Sequence, residues 1–348
     1  MGRDRRRTTG DGLRRRAARL LRRALPTTTV LRVGLAAMWG VDAGLQIQPA
    51  MFTRAFPGTV LYANAIMYQP GWLAAGLTRA VDLVAPHLTA LDAGTAGLEI
   101  AIAAGILLRR TRRLALTISI AWALVVWVVG EGLGGMATGT ALLEAGAPGA
   151  ALGYVVVALL VWPGRRPGPG SAAAAGRLGD RGARWLWSGY WALGALLHLQ
   201  PRFPVGAVLA YNLQTAAQDQ QGPLAGLDYR LAQLGDAHGV AVALGLGLCE
   251  LAIAAAVWSP RLRPTALAAG SVATLLFWVV GQAMGGALTG LSTDLSTAPM
   301  VLLVTVALIP TTGGRIRAAA PNLPTGADRE PATGDSAGRA GVLSSPPG

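Results

Sequence analysis

A stretch beginning at Trp127, Trp-Val-Val-Gly-Glu-Gly-Leu-Gly-Gly-Met-Ala-Thr-Gly, returns 151 residues later from Trp278 as Trp-Val-Val-Gly-Gln-Ala-Met-Gly-Gly-Ala-Leu-Thr-Gly. The same offset carries Glu99 onto Glu250, His87 onto His238 and Pro148 onto Pro299. An offset of 152 carries Arg32 onto Arg184, Trp39 onto Trp191 and Gln48-Pro49 onto Gln200-Pro201. Long-period self-similarity in an apolar chain predicts a bundle of two copies of one helical unit, with any site near the interface of the halves.

Only 14% of residues are charged and 52% are hydrophobic, with a mean hydropathy of +0.45, too apolar for an ordinary soluble domain. The apolar residues fall in runs close to the ~20 residues that cross a bilayer core. The net charge of +13 raises the question of nucleic acid, but its distribution answers it. Ten arginines lie in the first 25 residues, and most others sit in short gaps between apolar runs. No folded polar surface with groove-fitting or aromatic elements accompanies them, so no nucleic acid is expected. All 30 basic residues are arginine, a sign of codon bias and not of function. Cys249 is the single cysteine, which excludes an intrachain disulfide and a Cys-x-x-Cys redox or zinc motif.

Hydropathy predicts an all-α polytopic membrane bundle, with about eight transmembrane helices arranged as two parallel four-helix repeats. The expected spans are about 30–48, 88–108, 114–130 and 147–162 in the first repeat. In the second they are about 185–200, 239–258, 264–281 and 298–310, the last being short. The domains follow: a basic arm (1–28), a first repeat (29–163), a linker (164–183), a second repeat (184–310) and a tail (311–348) expected to be disordered. The arm, Arg109–Arg113, the linker, Arg261/Arg263 and the tail all fall on one side of such a bundle. The other side carries only Arg54, Arg79, Arg202 and Arg230, so both termini are expected in the cytoplasm of a cell with the protein in its plasma membrane. A cleaved signal peptide is the competing reading of the first 45 residues. It conflicts with the internal partners of Arg32, Trp39 and Gln48-Pro49. Residues 71–86 read as an amphipathic helix at the outer interface, with Leu73, Leu77, Ala80 and Val84 on one side. The arm should rest against membrane lipids.

Glu99 and Glu250 lie well inside apolar runs, where an ionised carboxylate costs at least ~2.5 kcal/mol unless it is paired, protonated or turned to the bundle interior. Proton relay or ligand contact is one reading. Packing residues partnered by Arg32 and Arg184 of the preceding spans is the other. Nearer the outer face, Gln46, His87 and Glu131 in one half match His198, His238 and Gln282 in the other as a candidate outer pocket, with the alternative of a wet interface under a tryptophan belt. Metal binding is not expected, because no tight spacing such as His-x-x-x-His brings imidazole and carboxylate ligands together. The Gly-Gly-x-x-Thr-Gly turns at 134–139 and 285–290 follow helices and lack a lysine, so they are not phosphate loops.

A four-span unit opening near an arginine (Arg32, Arg184), with a glycine-rich turn and a short fourth helix, resembles the DoxX-like bacterial membrane proteins. The resemblance covers each half and implies a fused pair. The Gly-x-x-Lys pattern associated with that family's first helix is missing, Asp42 and Gly194 standing in the region. Some family members are associated with quinone-linked sulfur oxidation. The resemblance thus implies an auxiliary subunit of a quinone-linked redox system, with quinone as the cofactor and a membrane redox partner. The alternatives are a proton-coupled small-molecule transporter, or a membrane enzyme acting on a lipid or quinone headgroup at the outer face.

Overall fold

The computed structural model describes residues 27–164, 171–200 and 202–310. The expected basic arm up to residue 26, the tail from residue 311 and linker residues 165–170 lie outside the described residues. Among those described there are helices and turns and no strand; the only bridge pairs join Pro163 to Gly176 and Ser171 to Pro310.

The first half contains α1 (Thr27–Gln46), the short α2 (Tyr62–Ile66), α3 (Gly71–Val84), α4 (Leu88–Leu107), α5 (Arg112–Val125) and α6 (Ala150–Val161). A wide turn over Val126–Gly130 extends α5. The second half contains α7 (Gly179–Leu197), α8 (Val205–Gln218), α9 (Gly222–Ala256), α10 (Arg263–Val279) and α11 (Ala298–Leu308). Punctuation in the sequence explains the breaks. Pro49 follows α1, Pro70 and Pro204 precede α3 and α8, and Pro lies in the first turn of α9, α10 and α11, where its missing N–H costs nothing.

Packing is parallel in the two halves. α1 rests on α4, α4 on α5, α5 on α6 and α1 on α6; correspondingly α7 rests on α9, α9 on α10, α10 on α11 and α7 on α11. The halves meet through α6 against α11, α1 against α11 and α6 against α7. Local hydrogen bonds repeat as well. Arg112 Nε donates to Ile106 O and Arg263 Nε to Val257 O, each at 3.1 Å, closing the turns after α4 and α9 with a cation at a helix C-terminus. Trp127 and Trp278 each donate their indole N–H to a carbonyl just before or at the start of the last helix of their half, Pro148 O at 2.7 Å and Leu295 O at 2.8 Å. A continuous core containing Leu35, Ile102, Leu116, Trp187, Trp191 and Leu308 runs through both halves.

Among the described residues, three helical stretches are long and apolar enough to cross a membrane: Gly71–Leu107, Arg112–Gly130 and Gly222–Ala256. Ala150–Val161 and Ala298–Leu308 are apolar but short. At 1.5 Å per residue they reach roughly 17–18 Å, less than the ~30 Å hydrocarbon thickness. Two features add to the sequence reading. The expected outer amphipathic helix and the second span are nearly continuous, joined through a tight turn at Ala85–His87, and their counterparts form one helix, α9, kinked at His238 with φ −129°. The linker is also more than a spacer: Ala172 and Ala173 are buried in the core, and Ser171 Oγ donates to Asp180 Oδ1 at 2.7 Å. Small side chains permit that close approach. The amphipathic reading of α3 agrees with the fold, with Leu73, Leu77 and Val81 buried and Arg79 and Asp82 exposed.

Candidate functional site: an acid-lined cavity and a buried histidine–glutamate cluster

Helical spacing assembles the first pocket. On α1, Trp39, Asp42 and Gln46 follow one another at intervals of three and four and share a face; on α4, Asp92, Thr95 and Glu99 do the same. All six are buried. The stripe on α4 continues inward through Ile102 and Ile106, so polar turns give way to apolar core along one helix face. Glu131 at the end of the extended α5 and Tyr154 on α6 complete the wall. The cavity they enclose measures about 410 Å³, in the range of small-molecule sites.

An unexpected residue enters it. Asp294, in the loop before α11 of the other half, lines this same cavity. Its Oδ1 accepts from Ser296 N at 2.6 Å and its Oδ2 from Thr293 Oγ1 at 3.1 Å, which hold the carboxylate in place. Burial pushes the Asp294 carboxyl above its ordinary value, against the opposing effect of those hydrogen bonds. Asp294, Glu131 and Asn64 also line a neighbouring polar cavity of about 320 Å³, whose walls include Tyr68, Thr138 and Asn212 from both halves. The two cavities share these residues as a common wall.

Five carboxylates therefore face the first cavity, and among the described residues no cationic side chain lines it. The Tyr154 hydroxyl donates to Asp42 Oδ2, and Glu131 Oε1 accepts from Ala151 N at 2.9 Å in the first turn of α6. Asp42 Oδ1, Asp92 Oδ2, Glu99 Oε2 and Glu131 Oε2 are buried without a hydrogen-bond partner. A charge so placed requires a counter-ion, a proton or a ligand.

A buried side-chain cluster in the second half uses equivalent helix positions with different chemistry. His198 on α7 stands where α1 carries Gln46, and Glu250 on α9 stands where α4 carries Glu99. Glu144, from the loop before α6 of the first half, reaches across to them. His198 Nε2 lies 3.2 Å from Glu144 Oε1 and 3.4 Å from Glu250 Oε2. Gly194 faces the cluster closely: a Cβ there would sit 2.5 Å from Glu250 Oε1. Gln282 Nε2 donates to Leu143 O at 3.1 Å, and Thr297 Oγ1 donates to Gly146 O at 3.1 Å, so the second half grips the loop that delivers Glu144. Each half thus lends the acid of one loop to a buried polar site of the other half, Asp294 to the cavity and Glu144 to the cluster.

This arrangement redistributes the residues expected from sequence. Gln46 and Glu131 join Glu99 in the cavity; His198 meets Glu250 in the buried cluster, with Gln282 holding the loop that brings Glu144. Separate inner and outer sets do not form, because Asp92 to Glu99 spans only ~10 Å of helix and one cavity covers that length. His87 and His238 are exposed at the breaks of the two long helices and belong to neither the cavity nor the cluster. Arg32 and Arg184 do not pair with the glutamates. Arg32 donates to Thr28 O and Thr29 Oγ1 within its own first turns, and Arg184 pairs with Asp180 at 2.9 Å while lying over the Trp258 ring. Local partners one helical turn away win over distant ones. Asp92 was signalled by its spacing of seven from Glu99. Glu144 and Asp294 had no such signal, being loop residues donated between halves.

No family model, curated protein or solved structure matches the chain.

Proposed function

We propose that this protein is a polytopic plasma-membrane protein of two DoxX-like four-helix repeats, with cytoplasmic termini, that binds a small organic cation in its first half and carries it in exchange for protons. The observation that carries this reading is the 410 Å³ cavity in which Asp42, Asp92, Glu99, Glu131 and Asp294 face one another with no cationic side chain between them. Trp39, Trp122 and Tyr154 stand in the same wall, and an aromatic face beside a carboxylate suits an amine or quaternary ammonium. The adjoining polar cavity offers a route from the outer side, sharing Glu131 and Asp294 with the binding cavity. Carboxylates that lose a bound cation in a low-dielectric interior take up protons, which couples the two movements.

The eight spans of this proposal require the short α6 and α11 to sit in thinned bilayer or to be extended by their flanking turns. Arginine asymmetry and the repeated packing support that topology. The quinone-linked reading fits this cavity less well. A quinone headgroup accepts hydrogen bonds and carries no positive charge, whereas the wall is dominated by acceptors. The test is titration of the full chain in lipid nanodiscs with ethidium, an aromatic monocation, followed by its tryptophan quenching. We expect saturable binding that weakens ~10–100-fold in Glu99→Gln or Asp42→Asn, the loss of one charge-assisted contact. Absence of binding, or equal binding in both variants, overturns the proposal.

A further inference from the structure

The geometry points to a divalent transition-metal site of the zinc class at Glu144, His198 and Glu250, which joins the two halves of the molecule. One ligand atom from each residue lies within 4.8 Å of the others. The two measured edges, 3.2 and 3.4 Å from His198 Nε2 to the carboxylates, match the ~3.4 Å edge of a tetrahedron with ~2.1 Å bonds to zinc. Imidazole nitrogen and carboxylate oxygen are ligand types that such ions accept together.

Hydrogen bonding among the three residues does not account for the cluster. His198 Nε2 pairs with one oxygen of each carboxylate, but His198 Nδ1, Glu144 Oε2 and Glu250 Oε1 are buried with neither a hydrogen bond nor an ion-pair partner. Native folds leave few buried polar atoms unsatisfied, and three at one point mark a place prepared for an occupant. A single Nε2–H cannot point straight at two carboxylate oxygens at once, whereas a central ion accepts lone pairs from all three residues. Charge leads to the same result. Two carboxylates and a neutral imidazole carry two negative charges, which a divalent ion cancels; an imidazolium would leave one buried and unbalanced.

Surrounding residues fit this role. Gly194 leaves the space that Glu250 occupies, and the Gln282 and Thr297 hydrogen bonds fix the loop that presents Glu144. Because Glu144 comes from the first half and the other ligands from the second, the ion would act as a clasp between them. It would hold at most three protein ligands from this set, leaving a coordination position for a small exogenous ligand. This site is separate from the organic-cation cavity, so either can fail alone.

The experiment is elemental analysis of the full chain purified with an affinity tag that contains no histidine, after loading with Zn²⁺ and removal of free metal. About one equivalent of zinc per chain is expected, falling below about a tenth in His198→Asn and in Glu144→Gln. Glu144→Gln keeps the loop's size and backbone contacts, so it serves if His198→Asn fails to give monodisperse protein. The wild-type protein loaded with Co²⁺ should in addition show the visible absorption of a tetrahedral site. Wild-type protein that retains no zinc, or zinc retained at full stoichiometry in both variants, overturns the assignment and leaves the cluster an imidazolium held between two carboxylates.

Discussion

Trp39 on α1 donates its indole N–H to Ser119 Oγ on α5 at 3.0 Å, while Trp191, its counterpart on α7, faces Gly270 on α10 and has no hydrogen-bond partner for its own N–H. The same pair of helices is therefore held differently in the two halves. In the first, a hydrogen bond fixes the tryptophan beside the acid-lined cavity. In the second, absence of a side chain at residue 270 makes room for the rings of Trp187 and Trp191.

Ser119→Ala should strand the Trp39 N–H and cost about 1 kcal/mol, within the range for buried hydrogen bonds and near the values known for membrane helices. Gly270→Ala should cost more, because its Cβ would lie 2.5 Å from Trp187 Cζ2 and that fully buried ring has little room to move. Thermal unfolding of the two variants in one detergent checks the order. An S119A variant less stable than G270A would contradict it.

Glu131 serves both as a wall of the cavity and as an acceptor for the first turn of α6. Glu131→Gln keeps an oxygen for Ala151 N and should leave stability within ~0.5 kcal/mol while weakening cation binding. Glu131→Ala removes the acceptor and should cost about 1 kcal/mol, as loss of a helix N-terminal cap does. Paired melting and ethidium-binding curves separate the effects.

Gly134 has φ +60° and packs directly against the backbone of Pro148 and Gly149. Alanine there meets both an unfavourable backbone conformation and a carbonyl that cannot move aside, so Gly134→Ala should cost at least ~2 kcal/mol. Gly245→Ala, on an open face of α9, should be neutral or slightly stabilising, since alanine is the better helix former. Expression level and melting temperature report on both.

Cation binding should weaken as pH falls. Ionised carboxylates hold the ligand, and burial places Asp294 above its ordinary value, so protonation begins to compete above the usual aspartate range near ~4. Ethidium titrations between pH 8 and pH 5 should show affinity falling monotonically toward acid. Affinity that is flat over this interval, or that rises toward acid, would show that these carboxylates do not carry the interaction.

Reporter fusions test the proposed topology. Fusions after Arg110 and at Arg177 should read cytoplasmic, and fusions at Gly58 and Gly222 external. Gly146 is unsuitable as a fusion site because it packs against Ser296 and Thr297 of the other half. A linker at Arg177 that reads external would mean oppositely oriented halves.

The sequence by itself determined the all-helical character, the paired positions along the chain and the unusual placement of Glu99 and Glu250. Those properties are local: apolar runs, proline punctuation and helical spacing act within a few turns of each residue. Asp42 and Asp92 were not singled out from the sequence, although their spacings of three from Trp39 and seven from Glu99 place them on shared helix faces. Only the tertiary structure decided which polar residues meet. His198 and Glu250 converge because α7 packs on α9, and Glu144 and Asp294 reach the opposite halves because the loops before α6 and α11 cross where those helices touch. Such convergence depends on the crossing of helices far apart in sequence, and no periodicity along one chain segment encodes it. The same reason removed His87 and His238, which match each other in register yet lie exposed at the bends of long helices, outside the cavity and the cluster.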